Sequence, residues 1–360
     1  MDFSVDERLV RAATLPAPLY TDPAVLAVEK ARVFGASWQL VGRADQVARP
    51  GDFFTARVAD EEVLIARGED EELRALSNVC RHRAGPVASG AGSCRALRCG
   101  YHGWTYGLDG RLLATPEFEG VENFRREDVR LPEFAVETWI GLVFANLDAK
   151  APALAATLDD LRGRLEGDGL GSMRFAFRRE WTLDCNWKVY VDNYLEGYHI
   201  PVVHPSLMVE LDYGAYRTET FRNRVLQVSP IVGKGGRLGT GAAGGEAAYW
   251  WIWPNLMLNV YPDNFSTNLI VPLGEERTLT IFEWFFRESE RPGVRTRVEG
   301  TVAFSDEIQL EDIAICEAVQ RGLRSRTYVR GRYSEKRESG VHHFHRLWAA
   351  AMEPPRVPER

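Results

Sequence analysis

Four residues that bind soft metals stand in two pairs in the stretch CRHRAGPVASGAGSCRALRCGYHGW: Cys80-x-His82 and Cys99-x-x-His102. Two thiolates and two imidazoles on two loop tips can bind one zinc ion as Cys₂His₂ or hold a [2Fe–2S] cluster with mixed ligation. Gly100 and Gly103, on either side of His102, permit the tight turns that bring backbone amides towards sulfur. Zinc-finger patterns pair like with like and run into a helix, whereas each of these loops carries one ligand of each kind in a strand-rich stretch. A third cysteine, Cys94, lies in the glycine-rich gap. The four-ligand set is complete without it, so Cys94 is expected to be a non-ligand whose change to Ser leaves a cluster's spectrum intact.

A second group lies far along the chain. DNYLEGYHIPVVHPS contains His199 and His204. On one unbroken helix a five-residue step would turn them roughly 140° apart. Pro201 is predicted to break that helix, letting the rings converge. A helix predicted over 306–323 has an apolar stripe of Ile308, Ile315, Cys316, Val319 and Leu323, with Asp312 in its middle. A carboxylate on a buried face needs a partner. Two histidines and one carboxylate make the facial triad that suits non-haem Fe(II) and O₂. Glu196, three residues before His199, falls on the same face of the predicted helix, and Asp192 lies one turn further back.

The elements that must carry these residues change in character along the chain. A short helix is predicted over 24–35. Alternating apolar and polar residues, acidic turns and an Asp109-Gly110 hairpin signal then predict a small all-β domain at 38–150. Helical and β-rich segments follow, so the expected division is 1–37 as an N-terminal helical segment packing on the catalytic domain, 38–150, and 151–360. The run GKGGRLGTG lacks the strand-to-helix context of a nucleotide fingerprint and reads as a loop. His342, His343 and His345 fall in a predicted amphipathic helix with no cysteine or acidic ligand near in sequence, and are read as structural.

The 360 residues carry a net charge of −7, 45% apolar and 26% charged residues. That argues against a nucleic-acid or anionic-membrane surface. Five cysteines are too few and too odd for a disulfide framework, the first residues lack a signal-peptide pattern, and no apolar run reaches membrane length. A cytoplasmic location is the expectation.

The flanking residues carry more than the ligands alone. NVCRHRAGPV and CGYHGWTYGLDGRL, with NWKVYVDNYLEGYHIPVVH and QLEDIAICEAVQRGL, resemble Rieske non-haem iron oxygenase α subunits, the ring-hydroxylating oxygenase family. The likeness runs from about Leu15 to Leu347. It implies an α+β chain: an all-β Rieske [2Fe–2S] domain followed by a helix-grip (START-like) catalytic domain of antiparallel sheet and helices. It implies that Cys80 and Cys99 hold one cluster iron and His82 and His102 the other, with Trp104 packed over them. It implies that His199, His204 and Asp312 hold mononuclear Fe(II). Glu196 matches an acidic bridge between the two metal centres of neighbouring subunits, with Asp192 as the second candidate. Many ring-hydroxylating members have Asp at that position; Glu matches the quaternary-amine branch.

The resemblance further implies an oxygenase that uses O₂ to hydroxylate or oxidatively demethylate a small organic substrate, assembled as a homo-oligomer, commonly a trimer. The chain shows no NAD or flavin motif, so electrons are expected from a separate NAD(P)H-dependent reductase, with a ferredoxin as a further candidate carrier. The residues around YWWIWPNLMLNVYPDNFSTNLIVPLG look most like the choline and glycine-betaine branch, and Trp250, Trp251, Trp253, Tyr261 and Phe265 are candidates for an aromatic cage around a quaternary ammonium. An aromatic substrate, dihydroxylated on its ring, is the alternative; a non-catalytic electron carrier or a zinc-binding protein is the rival class.

Overall fold

A computed structural model describes residues 3–233, 237–238, 245–287 and 293–353. The backbone divides into two compact units, Phe34–Gly171 and Met1–Val33 with Ser172–Arg360. Both combine antiparallel sheets with helices in an α+β architecture. Most of the predicted glycine-rich loop, 234–236 and 239–244, lies outside the described residues.

The unit Phe34–Gly171 is built on a seven-stranded sheet. Its order is Gln39–Arg43, Leu142–Asn146, Glu133–Trp139, Leu73–Ser77, Glu61–Arg67, Asp52–Val58 and Ala91–Ser93. Glu61–Arg67 runs through the middle, with Val63, Leu64, Ile65 and Ala66 all fully buried. Both faces of this strand are therefore covered. A three-stranded sheet of Leu97–Arg98, Thr105–Tyr106 and Leu112–Ala114 supplies the second cover. Its hairpin turns at Asp109-Gly110 as predicted, with Gly110 at φ +82°. Between the two sheets, Leu64, Leu76, Leu97, Trp104 and Tyr106 share one core with Cys80 and Cys99.

The other unit has a seven-stranded antiparallel sheet ordered Arg174–Leu183, Arg277–Phe286, Asn264–Gly274, Leu256–Val260, Glu246–Ile252, Arg224–Pro230 and Arg217–Phe221. Register aligns Gln227, Tyr249, Asn259, Ser266 and Trp284 as one row across five strands. Side chains alternate faces along a strand, so a residue next to this row points the other way. Phe265 accordingly stacks on Phe285 on the opposite face, with ring centroids 4.5 Å apart.

The helix carrying Asp312 runs Val294–Leu323, beginning well before the predicted residue 306. Its fully covered positions include Val298, Val302, Phe304, Gln309, Cys316 and Gln320. Ile315 and Val319, assigned to the buried stripe from sequence, are exposed. The polar Gln309 and Gln320 take inward positions because each finds a buried partner: Gln309 accepts from Tyr190 at 2.5 Å and Gln320 from the Asn186 amide at 2.9 Å. A polarity pattern alone places them on the wrong face.

A buried carboxylate of the N-terminal segment is one of its ties into this unit. Glu29, fully buried at the end of helix Pro23–Glu29, accepts from Lys188 Nζ at 2.6 Å, Trp348 Nε1 at 2.7 Å and Trp187 Nε1 at 2.9 Å. Three helices meet there: Pro23–Glu29, Trp187–Tyr194 and Ser339–Met352.

Candidate active site

The first ligand pair follows the strand Leu73–Ser77, and the second forms the turn between Leu97–Arg98 and Thr105–Tyr106. That turn closes with Cys99 N–H on the Trp104 carbonyl at 2.9 Å and Gly103 N–H on the Cys99 carbonyl at 3.0 Å. Gly103 takes φ +74°, a conformation that suits glycine. Gly100 does not, so only one of the two glycines is needed for the bend. Both cysteines are buried, and the Tyr106 hydroxyl lies 3.3 Å from Cys80 Sγ. The His82 and His102 rings meet edge to face with centroids 4.6 Å apart, and His82 lies flat on Trp104 at 4.9 Å. His82 Nδ1 is buried with no hydrogen-bond partner. An orphaned imidazole nitrogen of this kind fits a metal ligand.

Among the described residues, only one set of His, Cys, Asp or Glu donors brings three atoms all within 4.8 Å, and it is not this one. Two thiolates and two imidazoles are the donor set that a [2Fe–2S] cluster of mixed ligation takes. Cys94 sits after the edge strand Ala91–Ser93, its amide bonded to the Gly51 carbonyl at 3.0 Å.

The set that does converge is His199, His204 and Asp312. Pro201 is not what separates the histidines. The helix Trp187–Tyr194 ends earlier, and Pro201 lies in the first turn of a new short helix, Ile200–Val203, where a missing N–H costs nothing. His199 and His204 are the residues flanking that helix at its two ends. The chain turns at Glu196–Tyr198, where a Cβ on Gly197 would come within 2.8 Å of the Tyr216 ring. Glu196 holds this turn together. Its carboxylate accepts from the Tyr198 amide, from the His199 amide at 3.1 Å and from His199 Nδ1 at 2.6 Å. A turn, not a shared helix face, brings Glu196 to His199.

His199 Nε2 is then left 3.7 Å from Asp312 Oδ1, and His204 Nε2 3.0 Å from the same oxygen. The two rings stand nearly perpendicular, 77° apart. Asn193 Nδ2 donates to Asp312 Oδ1 at 2.6 Å. His204 Nδ1 is bonded to Glu311 Oε2 at 2.7 Å. Burial alone would lower the pKa of His204, but hydrogen bonds and charge from Asp312 and Glu311 outweigh it and raise the value above the usual imidazole range. Each histidine thus has a carboxylate on Nδ1, fixing which nitrogen is free for a metal. Glu311 was not singled out from sequence. Its only signal there is an acidic residue beside Asp312.

Asp192, the second bridge candidate, lines the same depression as Glu196 and the far side of His199. Its carboxylate accepts from the Tyr20 hydroxyl at 2.7 Å and is bonded to His345 Nε2 at 2.8 Å. His345 in turn meets the Tyr333 hydroxyl at 2.7 Å, and His342 reaches the Asp6 carbonyl at 2.8 Å. Both histidines are buried on helix Ser339–Met352 and sit within packing and hydrogen bonds of the protein itself.

A cavity of about 130 Å³ opens over the triad. Its sheet wall is the registered row Gln227, Tyr249, Asn259, Ser266 and Trp284, and its helix wall includes Phe304 and Ile308. Tyr194, Tyr216 and Tyr261 complete an aromatic lining. Of the five aromatic residues proposed for a cage, only Tyr261 lines this cavity. Trp250, Trp251 and Phe265 are fully packed away, and Trp253 sits against Trp251 and Phe344. Burial lifts Tyr194 and Tyr249 well above the ordinary phenol range and Tyr261 to about 12, so all three are neutral at physiological pH. No helix among the described residues is long and apolar enough to cross a membrane.

Residues 37–125 match the Rieske [2Fe–2S] domain, and residues 172–354 match the catalytic domain of the ring-hydroxylating α subunit. The chain is 38% identical to chloroplastic choline monooxygenase from Arabidopsis thaliana over 94% of its own length and 83% of that protein's. It is 33% identical to the carnitine monooxygenase oxygenase subunit of Escherichia coli over 94% and 93%. A quaternary ammonium Rieske monooxygenase solved with L-carnitine superposes with a TM-score of 0.83 at 31% identity, covering 95% of this chain and 96% of that one. Naphthalene 1,2-dioxygenase from Rhodococcus, at 20% identity and a TM-score of 0.78 over 94% of each chain, shares the fold.

Proposed function

The chain belongs to the Rieske ring-hydroxylating oxygenase α-subunit family, and from that membership we propose that it oxidises a quaternary ammonium compound. Members carry a Rieske [2Fe–2S] cluster and a mononuclear iron and incorporate oxygen from O₂. The observation that carries the substrate reading is the cavity lining. Neutral aromatic rings surround the space beside the triad, and its carboxylates, Glu196 and Asp312, are both engaged with the histidines. A permanent cation that cannot donate a hydrogen bond is held by ring faces. The relatives act on choline and carnitine, which carry such a group.

In this reading Cys80, Cys99, His82 and His102 hold the cluster, while His199, His204 and Asp312 hold the iron. The cluster supplies electrons one at a time, and the mononuclear iron supplies O₂ activation. Glu196 and Glu311 fix the two imidazoles, and Asn193 fixes the carboxylate. The aromatic wall presents a C–H bond beside nitrogen. One oxygen atom enters that bond; the other leaves as water with two electrons and two protons. The C–N bond of the hydroxylated carbon then breaks with its electron pair passing to nitrogen, giving a neutral tertiary amine, while the hydroxyl gives up its proton and becomes the carbonyl of an aldehyde.

Electrons come from a separate reductase and cross between subunits of a homo-oligomer, with Glu196 as the bridge. A related Rieske monooxygenase has been described with inter-subunit electron transfer. Here His102 is exposed, and the far side of His199 and Glu196 opens to a depression shared with Ile315, Val319 and Tyr328, all exposed apolar side chains. Such a patch suits a covered surface. The iron-loaded protein, with a reductase, should consume O₂ with at least one of choline, glycine betaine or carnitine and contain close to three irons per chain. O₂ uptake unmoved by all three compounds would sink the substrate assignment; a colourless protein with one zinc would sink the assignment of both metal centres.

A further inference from the structure

The charge arrangement of the cavity separates two kinds of quaternary amine. Among the described residues, Arg237 is the only lysine or arginine lining it. Its guanidinium sits over the Phe304 ring, 5.3 Å from the centroid. Its neighbour Leu238 is 5% exposed and packs with Phe304, Ile308 and Tyr261, which seats this short segment against the cavity wall. Phe304 lies two helical turns before Asp312, roughly 12 Å along the helix axis. The lining therefore has its carboxylates and histidines at one station and a cation at another. A divalent ion held at this site would balance Asp312 and Glu196. Among the described lining residues, that would leave no further carboxylate as a counter-ion for an ammonium group and Arg237 as the remaining charge.

We propose that the preferred substrate is a zwitterion, a trimethylammonium carboxylate, whose carboxylate pairs with Arg237 while its ammonium group rests on the aromatic wall. This rests on the quaternary-amine reading above. A guanidinium matches a carboxylate in shape and charge, and it repels a substrate that carries only a positive charge. Choline, which ends in a hydroxyl, gains nothing from Arg237 and meets that repulsion. Glycine betaine and carnitine gain a charge-assisted pair.

The test is calorimetric binding to the oxidised, iron-loaded protein, with glycine betaine, carnitine and choline as probes, followed by turnover with reductase. The wild-type protein should bind a carboxylated compound at least about tenfold more tightly than choline. Arg237→Gln should weaken carboxylate binding by about tenfold or more and leave choline binding unchanged or tighter. Arg237→Lys, which keeps the charge, should recover part of the loss. Choline preferred by the wild-type protein, or an Arg237→Gln variant that shifts both classes equally, overturns the proposal. If none of the three compounds binds or is oxidised, the quaternary-amine reading itself falls.

Discussion

His199 and His204 each commit Nδ1 to a carboxylate and keep Nε2 for the site. Glu196 does this within its own turn; Glu311 does it from the long helix, one residue from Asp312. Outer partners of this kind set the tautomer and basicity of a ligating imidazole, and losing one typically weakens a metal by about 10–100-fold. Glu311→Gln should therefore release the mononuclear iron into a chelator at concentrations that leave the wild type loaded, while the reduced cluster's EPR signal stays unchanged. Retention equal to wild type would show that Glu311 does not support His204. His199, His204 and Asp312, singled out from sequence, do converge, although Ile315 and Val319 of the apolar stripe that drew attention to Asp312 are exposed. Glu311 was not singled out, because an acidic residue on a solvated face has the same appearance in sequence. The aromatic cage was misread for a related reason. A run such as YWWIW gives alternation without saying which face is concave, and the register that selects Tyr249 over Trp250 is set by pairing with Arg224–Pro230 and Leu256–Val260, which the run itself does not contain.

Elements bring these residues together, and the contact between Gly340 and Leu195 is the tightest example. A Cβ on Gly340 would stand 2.4 Å from the Leu195 carbonyl oxygen and 3.2 Å from Val225. Leu195 directly precedes Glu196, so the first turn of helix Ser339–Met352 presses on the turn that holds His199 in place. Alanine in a helix is ordinarily better than glycine by about 0.5–1 kcal/mol. Here the obstacle is backbone, which cannot rotate away, and overpacking of this sort costs about 1–3 kcal/mol. Gly340→Ala should lower the melting temperature of this unit, at about 2–4 °C per kcal/mol for its size, and leave the cluster's spectrum intact. An unchanged or higher melting temperature would mean that the helix shifts freely. The β-rich and helical segments were readable from alternation and composition. The helix start after Gly293 and the turn at Gly197 were not; the second is pressed by Tyr216, a packing partner that the local sequence does not reveal.

At the scale of the whole molecule, the two units hold different chemistry, and the proposed bridge requires them to cooperate across subunits. The exposed His102 in one unit and the depression behind His199 and Glu196 in the other are both surface features, as a hand-over between subunits needs. This can be separated from transfer within one chain by complementation. His102→Ala should disable the cluster and His204→Ala the mononuclear iron, each leaving the other centre detectable by EPR or metal content. Each variant alone should be inactive. Co-expressed, they form mixed oligomers in which an intact cluster on one chain lies beside an intact iron on the next. Transfer between subunits then restores a measurable fraction of O₂-dependent substrate turnover. If electrons instead travel within a chain, every chain in the mixture has one broken centre and no activity returns. Mixed oligomers confirmed by two affinity tags, yet without turnover, would exclude the inter-subunit route, and Glu196 would then act on His199 only as a positioning residue.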